Sequence, residues 1–238
     1  MSNEIATVQP VSLVAKFAGR YSVDKDKLLT TLRATAFRQR GDRTTVTNEQ
    51  MMALLVVADQ YKLNPFTKEI FAFDDKGSII PVVSVDGWAR IINEHPSFNG
   101  VEFRYAETST KPPRGKECPG WCEAIIHRKD RDHPTVIREY LDEVYQGPRG
   151  KDGGFDGPWQ THTKRFLRHK TLIQCARIAF GFAGIYDEDE AHRIVQAELP
   201  APKEKAKAAE AALLAPADDA EFTDAATDPA EEGRGEAP

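Results

Sequence analysis

The spacing of apolar positions changes along the chain, and each change marks an element. Residues 11–17 and 26–37 carry apolar side chains three and four apart, as a helix with one buried face requires. The same spacing runs over residues 47–61, where Met51, Leu54, Leu55 and Ala58 form the apolar face. Thr47 is placed to cap that helix, with Gln50 three residues on to complete a capping box. Leu63-Asn64-Pro65 ends it, because a residue before proline avoids the helical region. The pattern then shortens to β-branched and aromatic runs. Residues 69–73 and 79–83 flank the turn Asp74-Asp75-Lys76-Gly77 and predict a hairpin. A helix over 86–93 turns Trp88, Ile91 and Ile92 inward, and strands follow at 100–105, 121–127 and 135–141. Residues 146–157, rich in glycine and both charges, read as a mobile loop. Two helices, 159–182 and 187–197, close the body. The predicted class is α+β: a central, mainly antiparallel sheet with helices at both ends.

Charge divides the chain in two. Residues 198–238 hold eleven acids and four bases, a net of −7. The preceding 197 residues hold 28 bases and 26 acids, a net of +2 concealed by the chain total of −5. A basic body with an acidic appendage points to a nucleic-acid partner. The appendage, mostly Ala, Pro, Glu and Asp, has too little apolar surface to offset its ordering entropy and is expected to be disordered. No apolar run approaches the roughly 20 residues that span a bilayer. The N-terminus lacks the basic region of a signal peptide, and three cysteines do not make a disulfide framework. A cytoplasmic protein with no membrane partner is expected.

The chemistry concentrates in residues 163–177, TKRFLRHKTLIQCAR. Lys164, Arg165, Arg168, Lys170 and Arg177 are permanent cations, His169 is titratable, and there is no acid. Solvent-facing helix positions normally mix signs, since like charges four apart repel. A phosphate chain would relieve the repulsion between Lys164 and Arg168, and counterion release would supply sequence-independent affinity. At 100° per residue, Lys164 and Arg168 fall on one side and Lys170, Gln174 and Arg177 on another. Either the helix bends or it lies between two surfaces; the plainer alternative is cations paired with acids elsewhere in the fold. Arg38, Lys68 and Lys76 are further cations that could join such a surface.

Other motifs admit sharper and plainer readings. Cys118 and Cys122 with His127 and His133 suggest zinc, but the C-x3-C spacing is loose and Pro119-Gly120 reads as a turn. Asp187-Glu188-Asp189-Glu190 suggests a nuclease metal site, whereas acids in a first helical turn also suit the helix dipole. His169 could be a general base, or a phosphate-facing or core histidine. Phe66 and Trp159 are retained as base-stacking candidates, the other aromatics as core. No GxxxxGK[ST] is present, which disfavours a P-loop motor.

Five segments resemble, in order, the lambda Red beta (Bet) proteins of the RecT family. They are LLTTLRATAF (28–37), ADQYKLNPFTKEIFAF (58–73), PVVSVDGWARIINE (81–94), IHRKDRDHP (126–134) and GPWQTHTKRFLRHKTLIQCARIAFGFAGIYDEDEA (157–191). The resemblance implies an α+β core with a protruding hairpin. It also implies a homo-oligomeric ring or helical filament that anneals complementary single strands without ATP and is not an enzyme. By the same resemblance Lys68, Lys164, Arg165, Lys170, Gln174 and Arg177 grip the DNA backbone, with Arg168 and His169 in the same block. No cofactor is implied, and Mg²⁺ is expected to modulate rather than fill a defined site. Two departures stand out: Glu188 occupies a position where relatives carry a cation, and the resemblance ends after Ala197. The relatives' C-terminal module, which recruits a phage exonuclease and host single-strand-binding protein, is there replaced by the acidic tail. The expected organisation is an annealing core over 1–197 and a tail over 198–238. Replacing Lys170 and Arg177 by alanine is expected to weaken DNA binding with the fold intact. A passive strand-coating protein and a metal-dependent nuclease using 187–190 are the rival readings.

Overall fold

A computed structural model describes residues 12–38, 46–75, 78–148 and 154–197. The first three helices follow the predicted periodicity, starting at α1 (Leu13–Tyr21) and α2 (Lys25–Thr35). Helix α3 (Asn48–Gln60) begins where its capping box requires. The Thr47 hydroxyl accepts the Gln50 backbone N–H at 3.2 Å, and the Gln50 side-chain Oε1 accepts the Thr47 N–H at 2.9 Å. Met51, Leu54, Leu55 and Ala58 of α3 are all fully buried, as its apolar face predicts.

The strands do not form one sheet. Strand β1 (Phe37–Arg38) runs parallel to β2 (Ile70–Asp75), which pairs antiparallel with β3 (Ser78–Val83). A second three-stranded sheet contains β4 (Phe98–Tyr105), β7 (Trp121–Arg128) and β8 (Thr135–Tyr140), with β7 central and both pairings antiparallel. A short ribbon joins β5 (Ser109–Thr110) to β6 (Cys118–Pro119). The expectation of a single central sheet is thus corrected to separate hydrogen-bonded ladders, mainly antiparallel, within an α+β fold. In the predicted hairpin, Phe71, Ala72 and Phe73 of β2 and Ile80, Val82 and Val83 of β3 are buried. Its tip, with Lys76, lies outside the described residues.

Helix α4 (Val85–Asn93) sits close against the start of β2, and Gly87 makes that approach possible. A Cβ there would lie 2.3 Å from the Glu69 carbonyl oxygen. After α5 (Leu141–Val144), the long helix expected over 159–182 is broken in two, α6 (Pro158–Thr161) and α7 (Thr163–Phe180). His162, at φ −139° and ψ 48°, forms the corner. The Thr163 hydroxyl fixes it by donating to the Trp159 carbonyl at 2.7 Å while accepting the Lys116 N–H at 2.9 Å. Helix α7 lies across β7 and β8, the Cys175 thiol meeting the carbonyls of Ala124 and Thr135 at 3.4 Å. Gly181 ends α7 in the left-handed conformation, φ 73°, a standard termination that L side chains resist. The chain returns beside β3 through Tyr186, which exchanges backbone hydrogen bonds with Pro81 and Val83, before α8 (Glu188–Ala197).

Candidate nucleic-acid interface

The helical rotation of α7 turns its cations two ways. Lys164, Arg165 and Arg168, on its first two turns, are exposed. Among the described residues none of the three side chains has a hydrogen bond or ion pair. Lys170, Gln174 and Arg177 turn toward the start of α8. Lys170 is only 6% exposed, and its ammonium donates to Asp187 and lies 3.5 Å from Glu190. Gln174 donates to Glu190 at 2.9 Å. Arg177 donates to Glu190 at 2.6 and 2.7 Å and to the Ile185 carbonyl at 2.8 Å, with its guanidinium 5.5 Å above the Trp88 ring. The acids missing from α7 are therefore supplied by Asp187 and Glu190. Alanine at Lys170 and Arg177 would strand the buried Asp187 and the half-buried Glu190, so this change is expected to lower stability as well as binding, against the expectation of an intact fold.

Two of the acids at 187–190, Asp187 and Glu190, also cap α8. The Asp187 carboxylate accepts the N–H groups of Asp189 and Glu190 at 2.9 and 3.0 Å, and Glu190 accepts the Asp187 N–H at 3.2 Å, a reciprocal cap. Burial holds Asp187 above its ordinary range, with Lys170 opposing and Glu190 adding to the rise. Glu190 is also pushed up by burial, but its hydrogen bond to Arg177 and the charges of Lys170 and Arg177 prevail and bring it to about 2. Glu188 pairs with Arg38 at 2.5 Å, and the Arg38 guanidinium lies 4.6 Å above the Phe71 ring. Asp189 accepts the Trp159 indole N–H at 2.6 Å. Asp187 and Glu190 thus share Lys170 while Glu188 and Asp189 have partners elsewhere, and no group of three or more His, Cys, Asp or Glu among the described residues is placed to hold a metal ion.

Trp159 is buried against Tyr145 and Phe166, which overturns its reading as a stacking platform. Phe66 is half-buried, edge-on to Tyr21 at 5.1 Å. Lys68 is exposed in the turn before β2 with φ 61° and no described contact to α7. His169 lies between the two groups of cations. Burial lowers its pKa first, then Arg168 and Arg165, with Asp86 opposing, which favours the neutral imidazole. Cys118 and Cys122 are buried beside Leu141, Val144 and Leu167, and His127 instead meets Glu102 at 3.1 Å. Burial pushes Cys118 and Cys175 up to about 11 and raises Cys122 as well.

The model of the RecT family matches residues 25–202, three-quarters of the chain, from α2 through α8. The chain belongs to the RecT family. It is 50% identical over 199 residues to the recombination protein bet of Escherichia phage lambda, covering 82% of this chain and 69% of that protein. In this RecT-family core, sequence reasoning missed two residues that stand with the exposed cations. Lys116 and His162 line one surface depression with Lys164 and Arg165. Lys116 comes from the loop after β5, about fifty positions earlier, and only the basic run KPPRGK marked it in the sequence.

Proposed function

We propose that this RecT-family protein binds single-stranded DNA and pairs complementary strands without ATP, as a recombination protein rather than an enzyme. The observation that carries the reading is the pairing pattern on α7. The neighbouring carboxylates at 187–190 are all engaged with other groups, while Lys164, Arg165 and Arg168 stand exposed and unpaired among the described residues. A backbone phosphate suits such side chains, and it leaves base edges free for a complement. Base pairing releases roughly 1.4 kcal/mol per step, so annealing needs no nucleotide. Lys170, Gln174 and Arg177 act from behind this face by holding α8 against α7, and Lys68, exposed in the turn before β2, is a separate candidate contact. Copies of the chain side by side in a ring or filament would join their basic faces into one track, in the cytoplasm of the bacterial host. An exonuclease and a host single-strand-binding protein are the partners such a protein would serve.

The test is annealing of two complementary dye-labelled oligonucleotides, without nucleotide, with and without protein. Acceleration is expected, with the two-strand complex more resistant to salt than the one-strand complex. Tight binding that slows pairing would instead assign a passive coat, and shortened strands in Mg²⁺ would assign a nuclease.

A further inference from the structure

The loop 111–117 is fastened to the α6–α7 corner by its backbone. The Tyr145 hydroxyl donates to the Pro113 carbonyl at 2.7 Å, and the Lys116 N–H donates to the Thr163 hydroxyl at 2.9 Å. Gly115 is buried at the contact, where a Cβ would lie 2.6 Å from the Pro112 ring and 3.0 Å from the Tyr145 hydroxyl. Arg114 meets Asp156 at 2.8 Å. Held in this way, the loop brings Lys116 and Glu117 to a depression of about 300 Å³ that His162, Lys164 and Arg165 also line. Three permanent cations face one acid, and the Lys116 ammonium has no ion pair among the described residues. Lys164 and Arg165 likewise have no ion pair among the described residues.

We infer that this depression seats a backbone phosphate of the bound strand, with Lys116 as its contact from outside α7. The DNA path then continues from α7 across the loop. The inference rests on the reading of the α7 face as DNA-binding and extends it by a segment remote in sequence.

The experiment is binding of an oligo-dT strand to the full chain over a range of salt. Each lost phosphate contact lowers the slope of log affinity against log salt by about 0.7 for single strands. Lys116→Ala is expected to do so and to weaken binding about fourfold at 0.15 M salt. Lys116→Arg should bind as the parent does, and Lys116→Glu should bind more weakly than Lys116→Ala. Stability should not change, because the structural contact of residue 116 is its backbone N–H. An unchanged slope for Lys116→Ala, while Lys164→Ala and Arg165→Ala lower it, would overturn the inference and leave the α7 reading standing. Unchanged slopes in all three would overturn both. Weaker binding with an unchanged slope would also overturn it, because Lys116 would then act through structure rather than charge.

Discussion

Lys170 and Arg168 lie two positions apart in the same basic run and are opposite in kind. Lys170 is one side of a buried network, and removing one partner of such a pair costs about 3–5 kcal/mol. Lys170→Ala should therefore lower the urea midpoint strongly. Arg168→Ala should leave it within about 0.5 kcal/mol and weaken DNA binding. The network also sets an acid limit. Glu190 is depressed to about 2 in the folded chain, so its contribution is present above its ordinary pKa of 4.5 and is lost as pH falls from 4.5 toward 2. Asp187 has the opposite sign. Its raised pKa favours the folded state at low pH and softens the same transition. Glu190→Gln should flatten the loss of stability between pH 4.5 and 2, read as thermal midpoint against pH; an unaltered acid limb would place the sensitive carboxylate elsewhere.

At the scale of elements, two glycines of α4 and α7 separate strain from obstruction. Gly181→Ala places a side chain in the left-handed region with open space around it, so a cost of about 1 kcal/mol is expected. Gly87→Ala drives a methyl group into a backbone carbonyl that cannot rotate away, so α4 must lift from β2. Its cost should be the larger, about 1–3 kcal/mol by denaturant unfolding. The helices with one apolar face were legible in the sequence, α3 down to its capping box, because burial on one side writes a period into the chain. The corner at His162 was not, since no glycine or proline marks Gln160-Thr161-His162-Thr163; a hydroxyl bonded to a distant loop makes the break. The division of the basic run into two faces was readable from helical angles. Which face meets solvent was not, because that depends on carboxylates brought in by α8.

For the whole molecule, a count of basic residues misleads. The described core keeps several of its cations for itself, at Lys170, Arg177 and Arg38, so the salt dependence of binding should reflect the exposed set rather than the motif. The −7 segment after Ala197 lies outside the described residues, and its competition with DNA for the basic face is a proposal. Ending the chain at Ala197 should tighten oligo-dT binding at low salt, with the difference fading as salt rises. Equal affinities across the range would remove that role. Family membership was readable at the start because residues 157–191 form one long idiosyncratic block, and the match to residues 25–202 bears it out. Lys116 was hidden because nothing in its local sequence reveals that it folds back onto α7.

The three thiols give the fold an internal clock. Each is buried, and Cys118 and Cys175 hold their protons to about pH 11, so near neutrality almost none is the thiolate that an alkylating reagent attacks. Modification must wait for the chain to open, and its rate counts opening events. Cys175 is sealed beneath α7 against β7 and β8, whereas Cys118 and Cys122 belong to the smaller cluster with Trp159 and Leu167. Two labelling rates would show the clusters opening separately, and a single rate would show that the described core opens as one body.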